Sequence, residues 1–596
     1  MNFDRVTIEQ FFRTYSVSSF AVSEDERQIA FSTNLTGKYD VWSMSPNHPY
    51  PAQLTTLGQL PHDIQFSPRG DYLLVAFDTD GDENAQLYAV APNGGSLKPL
   101  RIAHGRRFMG ARLRKDGKHV YYCSDKDNHS FLNGYVYDID TGEERVIYEG
   151  ANVTTHLGNV APDESSFVTL ELHANTYSVA YLHEGDKVTC LTPDQTVVHA
   201  TFTTKYHEDK IYLATNFDSE FFYFASFTPA TGEFKKLYTA EGNCDVASFE
   251  IDKQANQAVL LVSGGVEDRL IRYDLETGAT GSIDAPFKSI DQLEIGGSGT
   301  LYVLGQSDIR PRNVYGLEAG STSWNMLTNN RIIGVSDEEL SEAEVVTYPS
   351  FDGLEIEGLI FPANPANKNG FTVVWPHGGP QAAERKFYRA FFQYLTYSGY
   401  DVFAPNFRGS SGYGATFMKM VEGDWGHGPR LDMIEGIEWL IQQGRADREK
   451  LFLVGGSYGG YMTLLLHGRH ADYFKACVDI FGPSNLFTFS ESVPDHWKPM
   501  MRPWLGDPVE DKDRFVADSP ITYLAGMTKP MLVIQGANDP RVVKAESDQI
   551  VAALREQGTE IEYIVFDDEG HGFSKKGNEI HAYGSAVAFL DKHRGA

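Results

Sequence analysis

Residues 451–470 read LFLVGGSYGGYMTLLLHGRH. The opening LFLVGG is a continuous apolar run ending in glycines, as expected of a strand buried on both faces. The closing YMTLLLHGRH (461–470) is helix-like. Between them Gly455-Gly456-Ser457-Tyr458-Gly459 satisfies G-x-S-x-G in a strand–turn–helix context. Such a turn is strained, so its flanking positions must be small, and the strain holds the serine Oγ at the top of a sheet. The bland reading is a glycine-rich turn around a buried serine. The strand before and the helix after favour Ser457 as a nucleophile.

The same alternation extends in both directions. FTVVWPH (371–377), DVFAPNF (401–407), ACVDIFG (476–482), MLVIQG (531–536) and EYIVFD (562–567) are apolar runs separated by helix-like stretches. This predicts a doubly wound α/β domain on a parallel sheet. Ahead of it, EVVTYPSFDGLEIEGLIFPA (344–363) reads as strand, turn at Asp352-Gly353 and strand, after an acidic linker SDEELSEAE (336–344).

A serine hydroxyl needs a base to take its proton. In this context the chain order is serine, acid, histidine. MLVIQGANDPRVV places Asp539 just past a strand, and EYIVFDDEGHGF places His571 just past the final one. His571 is the candidate base and Asp539 the residue that fixes its tautomer. His467 and His470 fall in the helix after the nucleophile and His581 and His593 in a C-terminal helix-like run, so they read as surface or packing residues. Asp567 and Asp568 share the strand end of His571 and read as solvated or bonded to that loop.

An oxyanion needs donors aimed where charge develops. The Tyr458 N–H, directly after the nucleophile, supplies one. His377-Gly378-Gly379-Pro380 follows the strand FTVVWP and offers the second, at Gly379 with Gly378 as the alternative. The bland reading of these four residues is a plain turn.

The first half of the chain repeats. Turn signals begin at Ser23, Ser67, Arg114 and Ala161, with weaker copies near Tyr206, Asp252 and Gly297, spaced 44 to 47 residues apart. A strand-like run follows each: RQIAFST, DYLLVAF, KHVYYCS, SSFVTLE, KIYLATN, QAVLLVS and TLYVLGQ. Later turns such as YDIDTGE (137–143) and FTPATGE (227–233) fit between the outer strands of a blade. Such a period over seven copies predicts a seven-bladed β-propeller over residues 20–330, against an array of β-sandwiches with accidental spacing. Residues 8–15 read as a short helix, with Thr7 and Gln10 in capping-box spacing. The division expected is a helix in 1–19 packing on the hydrolase part, the propeller in 20–330 and the α/β domain in 331–596.

The formal charge of −30 repels phosphate backbones, so no nucleic-acid partner is expected. Four cysteines without CxxC spacing form neither a disulfide framework nor a zinc site. Asp78-Thr-Asp80-Gly-Asp82 resembles a calcium loop, but Glu83 stands where glycine is needed and Ala89 where a glutamate is needed. No metal or cofactor is expected. MNFDRVTIEQFF lacks a signal-peptide pattern and no apolar run is long enough to span a membrane, so a cytoplasmic location without membrane attachment is expected.

With FDGLEIEGLIF (351–361), HGGP (377–380), NFRGSSGYG (406–414), GGSYGGYM (455–462), DPRV (539–542) and EGHGF (569–573), the chain resembles the prolyl oligopeptidase family of serine peptidases, most of all its acylaminoacyl-peptidase branch. The resemblance implies an α/β-hydrolase domain covered by a propeller that admits short peptides and excludes folded proteins, access by the channel or by hinging near 16–20 and 330–345, and self-association into a homo-oligomer. It implies Ser457, Asp539 and His571 as the triad and Tyr458 and Gly379 as oxyanion donors. It implies that Arg541 holds the carbonyl of the residue before the scissile one; the bland alternative is a surface ion pair. Val543 replaces a proline frequent in the family. Glu143-Glu144 and Glu338-Glu339 do not sit in the context of the paired glutamates with which the dipeptidyl-peptidase branch grips a free amine. The implied activity is release of N-acylated amino acids. An oligopeptidase or free-amine exopeptidase is the alternative, and an esterase or silent propeller scaffold the more distant one. The specificity pocket is expected between ACVDIFG and the acid loop, with Phe487 and Trp497 as its candidate walls, although several aromatics there are core residues on the bland reading.

Overall fold

The computed structural model describes residues 6–595. Residues 17–326 form seven four-stranded antiparallel sheets, each made of four consecutive strands. Blades 1 to 7 span 17–53, 61–101, 108–149, 154–190, 201–238, 245–283 and 289–326. The strand-like runs of the repeat form the second strand of each blade, for example Leu73–Phe77 and Leu301–Gln306. The turn signal ahead of each joins the first strand to the second, so the sequence repeat is offset from the blade by one strand.

Each blade presents apolar faces to both neighbours, and one buried cluster fills each of the seven seams. Between blades 1 and 7, Phe20, Phe31 and Trp42 pack with Tyr302, Leu304 and Val314. Among the described residues no strand is shared between first and last blades, so side chains carry the closure. Gln292 accepts from the Phe20 N–H at 3.1 Å and donates to the Phe20 carbonyl at 2.7 Å, and Glu294 accepts from the Val22 N–H at 3.0 Å.

The second part is an eight-stranded sheet. Its first two strands, Glu344–Pro349 and Glu355–Phe361, are antiparallel, and the remaining six run parallel to one another. Asp401–Pro405 lies between Glu355–Phe361 and Thr372–Val374, a crossover that puts Thr372–Val374 and Leu451–Gly456 at the centre. Both faces are buried, which is why these strands are continuous apolar runs. The molecule is thus an α/β hydrolase with a seven-bladed propeller.

The N-terminal helix is shorter than the sequence suggests, Ile8–Phe12 rather than 8–15, because the chain must turn into blade 1 at Val17. The capping bond from the Thr7 N–H to Gln10 Oε1 is present at 2.9 Å. Phe11 packs on Tyr394 and Tyr397, and Phe12 on Tyr583, all in the hydrolase part.

The propeller meets the hydrolase around its rim. Lys576 N–H donates to Gly37 O of blade 1 (2.9 Å), and Lys575 pairs with Asp80 of blade 2 (2.7 Å). Thr154 and Asn175 of blade 4 donate to the His496 carbonyl (2.6 Å) and Gln381 (2.7 Å). Glu220 of blade 5 accepts from Thr416, Gly265 of blade 6 donates to Gly412 O (3.1 Å), and Gln306 of blade 7 accepts from the Tyr388 N–H (3.2 Å).

Candidate active site

Ser457 sits between the strand Leu451–Gly456 and the helix Tyr458–His470 with φ +58° and ψ −123°. A side chain at the neighbouring glycines would collide with backbone: a Cβ on Gly455 would stand 2.2 Å from Gly459 O, and one on Gly459 2.1 Å from Pro376 O. The strained turn therefore tolerates only glycine there and points Ser457 away from the sheet.

Ser457 Oγ lies 2.8 Å from His571 Nε2, and His571 Nδ1 lies 2.6 Å from Asp539 Oδ2. The other Asp539 oxygen accepts from the N–H groups of Arg541 and Val542, both at 2.9 Å. The carboxylate is buried and held by its own loop. The structure thus brings Ser457, Asp539 and His571 into one hydrogen-bonded chain from three strand ends.

The His571 loop is braced by Glu569, fully buried, which accepts from Ser574 N–H and Oγ–H, the Lys575 N–H and the Asn578 amide at 2.7–2.9 Å. Phe481, with φ +44°, lays its ring 4.6 Å from the His571 ring and forms one wall of the site.

The N–H groups of Tyr458, Gly378 and Gly379 donate to no acceptor among the described residues. A Cβ built on Gly378 would be 3.5 Å from Ser457 Cβ, so the 377–380 loop lies directly against the nucleophile. His377 anchors that loop. It is buried, stacked on Phe407, and bonded to Gly378 O and Ser410 Oγ at 2.7 and 2.8 Å. Burial drives its pKa down to about 4, so it is a neutral bracket at physiological pH.

Arg541 is exposed, its side chain 44% accessible, and it is held in an ion pair, the arrangement the bland alternative describes. Its Nε lies 2.6 Å from Glu83 Oε1, on the blade 2 loop, and its guanidinium is 5.8 Å from the Trp497 ring centroid. Trp497 is therefore brought to the site through Arg541. Phe487 lies in the helix Leu486–Ser492 and its ring meets Phe515; no contact with the triad or Arg541 is found among the described residues. The competing histidines are elsewhere. His467 is buried and accepts from the Lys529 N–H, His470 adjoins Arg430, His581 packs on Phe566 and His593 on Phe589. Asp568 pairs with Lys575 at 2.9 Å.

Sequence reading missed Glu83 and Glu569, and it passed over Phe481, an aromatic of the expected pocket segment, in favour of Phe487 and Trp497. The loop that resembles a calcium site was a partial signal for Glu83, since its Asp80 and Glu83 reach the hydrolase. Asp116, His119 and Glu164 come within metal-ligand reach on the propeller, but Arg114 and Tyr121 already bond Glu164.

The fold and site define a serine hydrolase whose nucleophile elbow is roofed by a propeller. Residues 385–596 match the prolyl oligopeptidase family. Dipeptidyl aminopeptidase BIII of Pseudoxanthomonas mexicana is 41% identical over 211 residues, 35% of this chain and 31% of that protein. The acylamino-acid-releasing enzyme of Homo sapiens is 28% identical over 264 residues, 43% of this chain and 36% of that protein. These matches thus take in about a third of each relative. Over the whole chain, a puromycin hydrolase crystal structure superposes with TM-score 0.87 at 19% identity, covering 99% of this chain and 97% of the other, a likeness of fold. No helix among the described residues is long and apolar enough to cross a membrane.

Proposed function

We propose that the protein is a serine peptidase that cleaves short peptides through an acyl-enzyme on Ser457 and releases N-acylated amino acids. The observation that carries the hydrolytic reading is the chain Asp539–His571–Ser457, with links of 2.6 and 2.8 Å. His571 takes the Ser457 proton as Oγ bonds to the scissile carbonyl carbon. The oxyanion is met by the N–H groups of Tyr458 and of Gly379 or Gly378. His571 then passes its proton to the departing amine as the C–N bond breaks. Water, deprotonated by the same histidine, releases the acid from Ser457.

The residue before the scissile bond lies toward Trp497, and the carbonyl ahead of it accepts from the Arg541 N–H groups that Glu83 leaves unused. Contacts from blades on all sides of the rim limit substrates to short, extended peptides. The likeness to acylamino-acid-releasing enzymes supports the acyl specificity.

A second reading is favoured by Glu83. A free α-ammonium would find a carboxylate beside Arg541, where an acyl group finds none of its own charge. The similarity to a dipeptidyl aminopeptidase points the same way. Rates on an N-acetyl-aminoacyl anilide and on the same anilide with a free amine, with Ser457→Ala as blank, decide between them. Fast cleavage of the acetylated member alone supports the first reading; preference for the free amine replaces it with the second.

A further inference from the structure

A cavity of about 190 Å³ opens between the propeller and the hydrolase on the side where the chain passes from one to the other. It is separate from the triad. The aromatic layer Tyr583, Phe573 and Phe481 stands between its wall and His571.

Its lining is unusual for a chain of charge −30. Arg312 of blade 7, Arg389 of the hydrolase and Lys576 of the C-terminal helix line it, against one carboxylate, Glu579. Arg312 donates to Asp291 at 2.8 Å and Arg389 to Glu384 at 2.7 and 3.1 Å, carboxylates that stand behind the lining. The two guanidiniums feel each other's like charge, and their side chains are 37% and 33% exposed.

Two donors there are unmet. Arg312 Nε and the indole Nε1 of Trp375, itself 6% exposed, are buried without a hydrogen-bond partner among the described residues. Buried donors left unpaired are costly, so a site holding two calls for an acceptor. The rest of the wall is aromatic, with Phe12, Phe391 and Tyr583. The volume is below the roughly 300 Å³ of a drug-sized pocket, room for a molecule of amino-acid size.

We infer that this cavity is a second, non-catalytic site for a small organic carboxylate with an apolar body, whose carboxylate bridges Arg312 of the propeller and Arg389 of the hydrolase. Such a ligand ties the two parts together across the face on which they meet and stabilises the closed form. Because Trp375 lies two residues before the HGGP loop and Lys576 five after His571, the cavity adjoins both the oxyanion loop and the histidine loop of the site. The products of the proposed reaction belong to this chemical class; that correspondence rests on the proposed function, whereas the binding does not.

The test is calorimetric titration of the full chain after its Ser457 has been blocked by a fluorophosphonate, with phenylacetate, phenylacetamide and inorganic phosphate as probes. Phenylacetate is expected to bind, and Arg312→Gln to weaken it about tenfold or more, as loss of a charge-assisted contact does. Trp375→Phe, which keeps the ring and removes the N–H, is expected to weaken it by a smaller factor and serves if the first variant does not fold. Equal affinity in wild type and both variants overturns the assignment. So does phenylacetamide binding as well as phenylacetate, or binding of phosphate without phenylacetate. Because the serine is blocked, failure here leaves the anilide comparison untouched, and the reverse also holds.

Discussion

Glu83 Oε1 of the propeller stands 2.6 Å from Nε of Arg541 of the hydrolase, 458 positions further along the chain. The pair sits beside the acid loop that holds Asp539. On the proposed function, the propeller is part of the substrate site as well as its roof, with one carboxylate tuning the charge that a substrate's N-terminal group meets.

Glu83→Gln is expected to separate the two substrate readings. It keeps the size of the side chain and removes the charge that competes for Arg541. Turnover of the acetylated anilide should rise in kcat/KM and that of the free-amine anilide should fall. Arg541→Ala should lower kcat/KM on the acetylated substrate by about 10- to 100-fold, from 1.4 kcal/mol per tenfold for a charged hydrogen bond. Steady-state rates on both anilides check this, and identical responses of the two substrates would remove Glu83 from the site.

Asp539→Asn is expected to leave the fold intact and cut kcat by about 10⁴, since an amide there favours the wrong tautomer of His571. Thermal melting and fluorophosphonate labelling of Ser457 are the measurements. Labelling should slow in parallel with turnover.

Glu569 receives four hydrogen bonds in the His571 loop and is fully buried. Glu569→Gln replaces one acceptor oxygen with a donor facing donors, at a cost of about 1–3 kcal/mol. The expected result is a lower melting temperature and a fall in kcat with KM little changed. A loss of stability with full kcat would show that the loop holds His571 without it.

Glu294 closes the ring between blades 7 and 1. Burial pushes its pKa up to about 8, with Glu250 adding to the shift while the Val22 N–H and Lys205 oppose it. The folded state thus keeps a proton that the unfolded chain releases near the ordinary carboxylate pKa. Stability is present in full below that lower value and falls as pH rises toward about 8. Glu294→Gln keeps the acceptor for Val22 and removes the titration. Its melting temperature should lose less than that of the wild type between acid and mildly alkaline pH, as scanning calorimetry across that range would record.

Asn175 and Gln381 meet at 2.7 Å across the interface, at the blade 4 hairpin. If substrates enter by opening of the two parts, a short bis-maleimide joining cysteines at these positions should abolish peptide turnover. The background would carry serine at Cys190 and Cys244, the two half-exposed native thiols. Unchanged turnover in the cross-linked protein would assign entry to the propeller channel instead.

Much of this molecule is legible from local sequence. The G-x-S-x-G elbow, the HGGP loop and the seven turn signals are short-range demands of backbone geometry, and apolar runs report burial on both faces of a strand. Those constraints act within a few residues, so sequence alone determined the hydrolase and the propeller and pointed to Ser457, Asp539 and His571, which the fold brings into one hydrogen-bonded chain. It overextended the first helix, because where a helix stops depends on where the next element must begin.

What only the tertiary structure decided are meetings between distant segments. Nothing near Glu83 says that its loop reaches Arg541, nor does anything near Gln292 and Glu294 say that they stitch blade 7 to blade 1. The facing of Arg312 and Arg389 depends on how two independently folded layers are docked. Trp497 reaches the site through Arg541 while Phe487 turns to Phe515, although both looked alike as aromatics on one segment. The physical reason is common to all of these: side-chain partners across an interface are set by the register of whole domains, which no local pattern encodes.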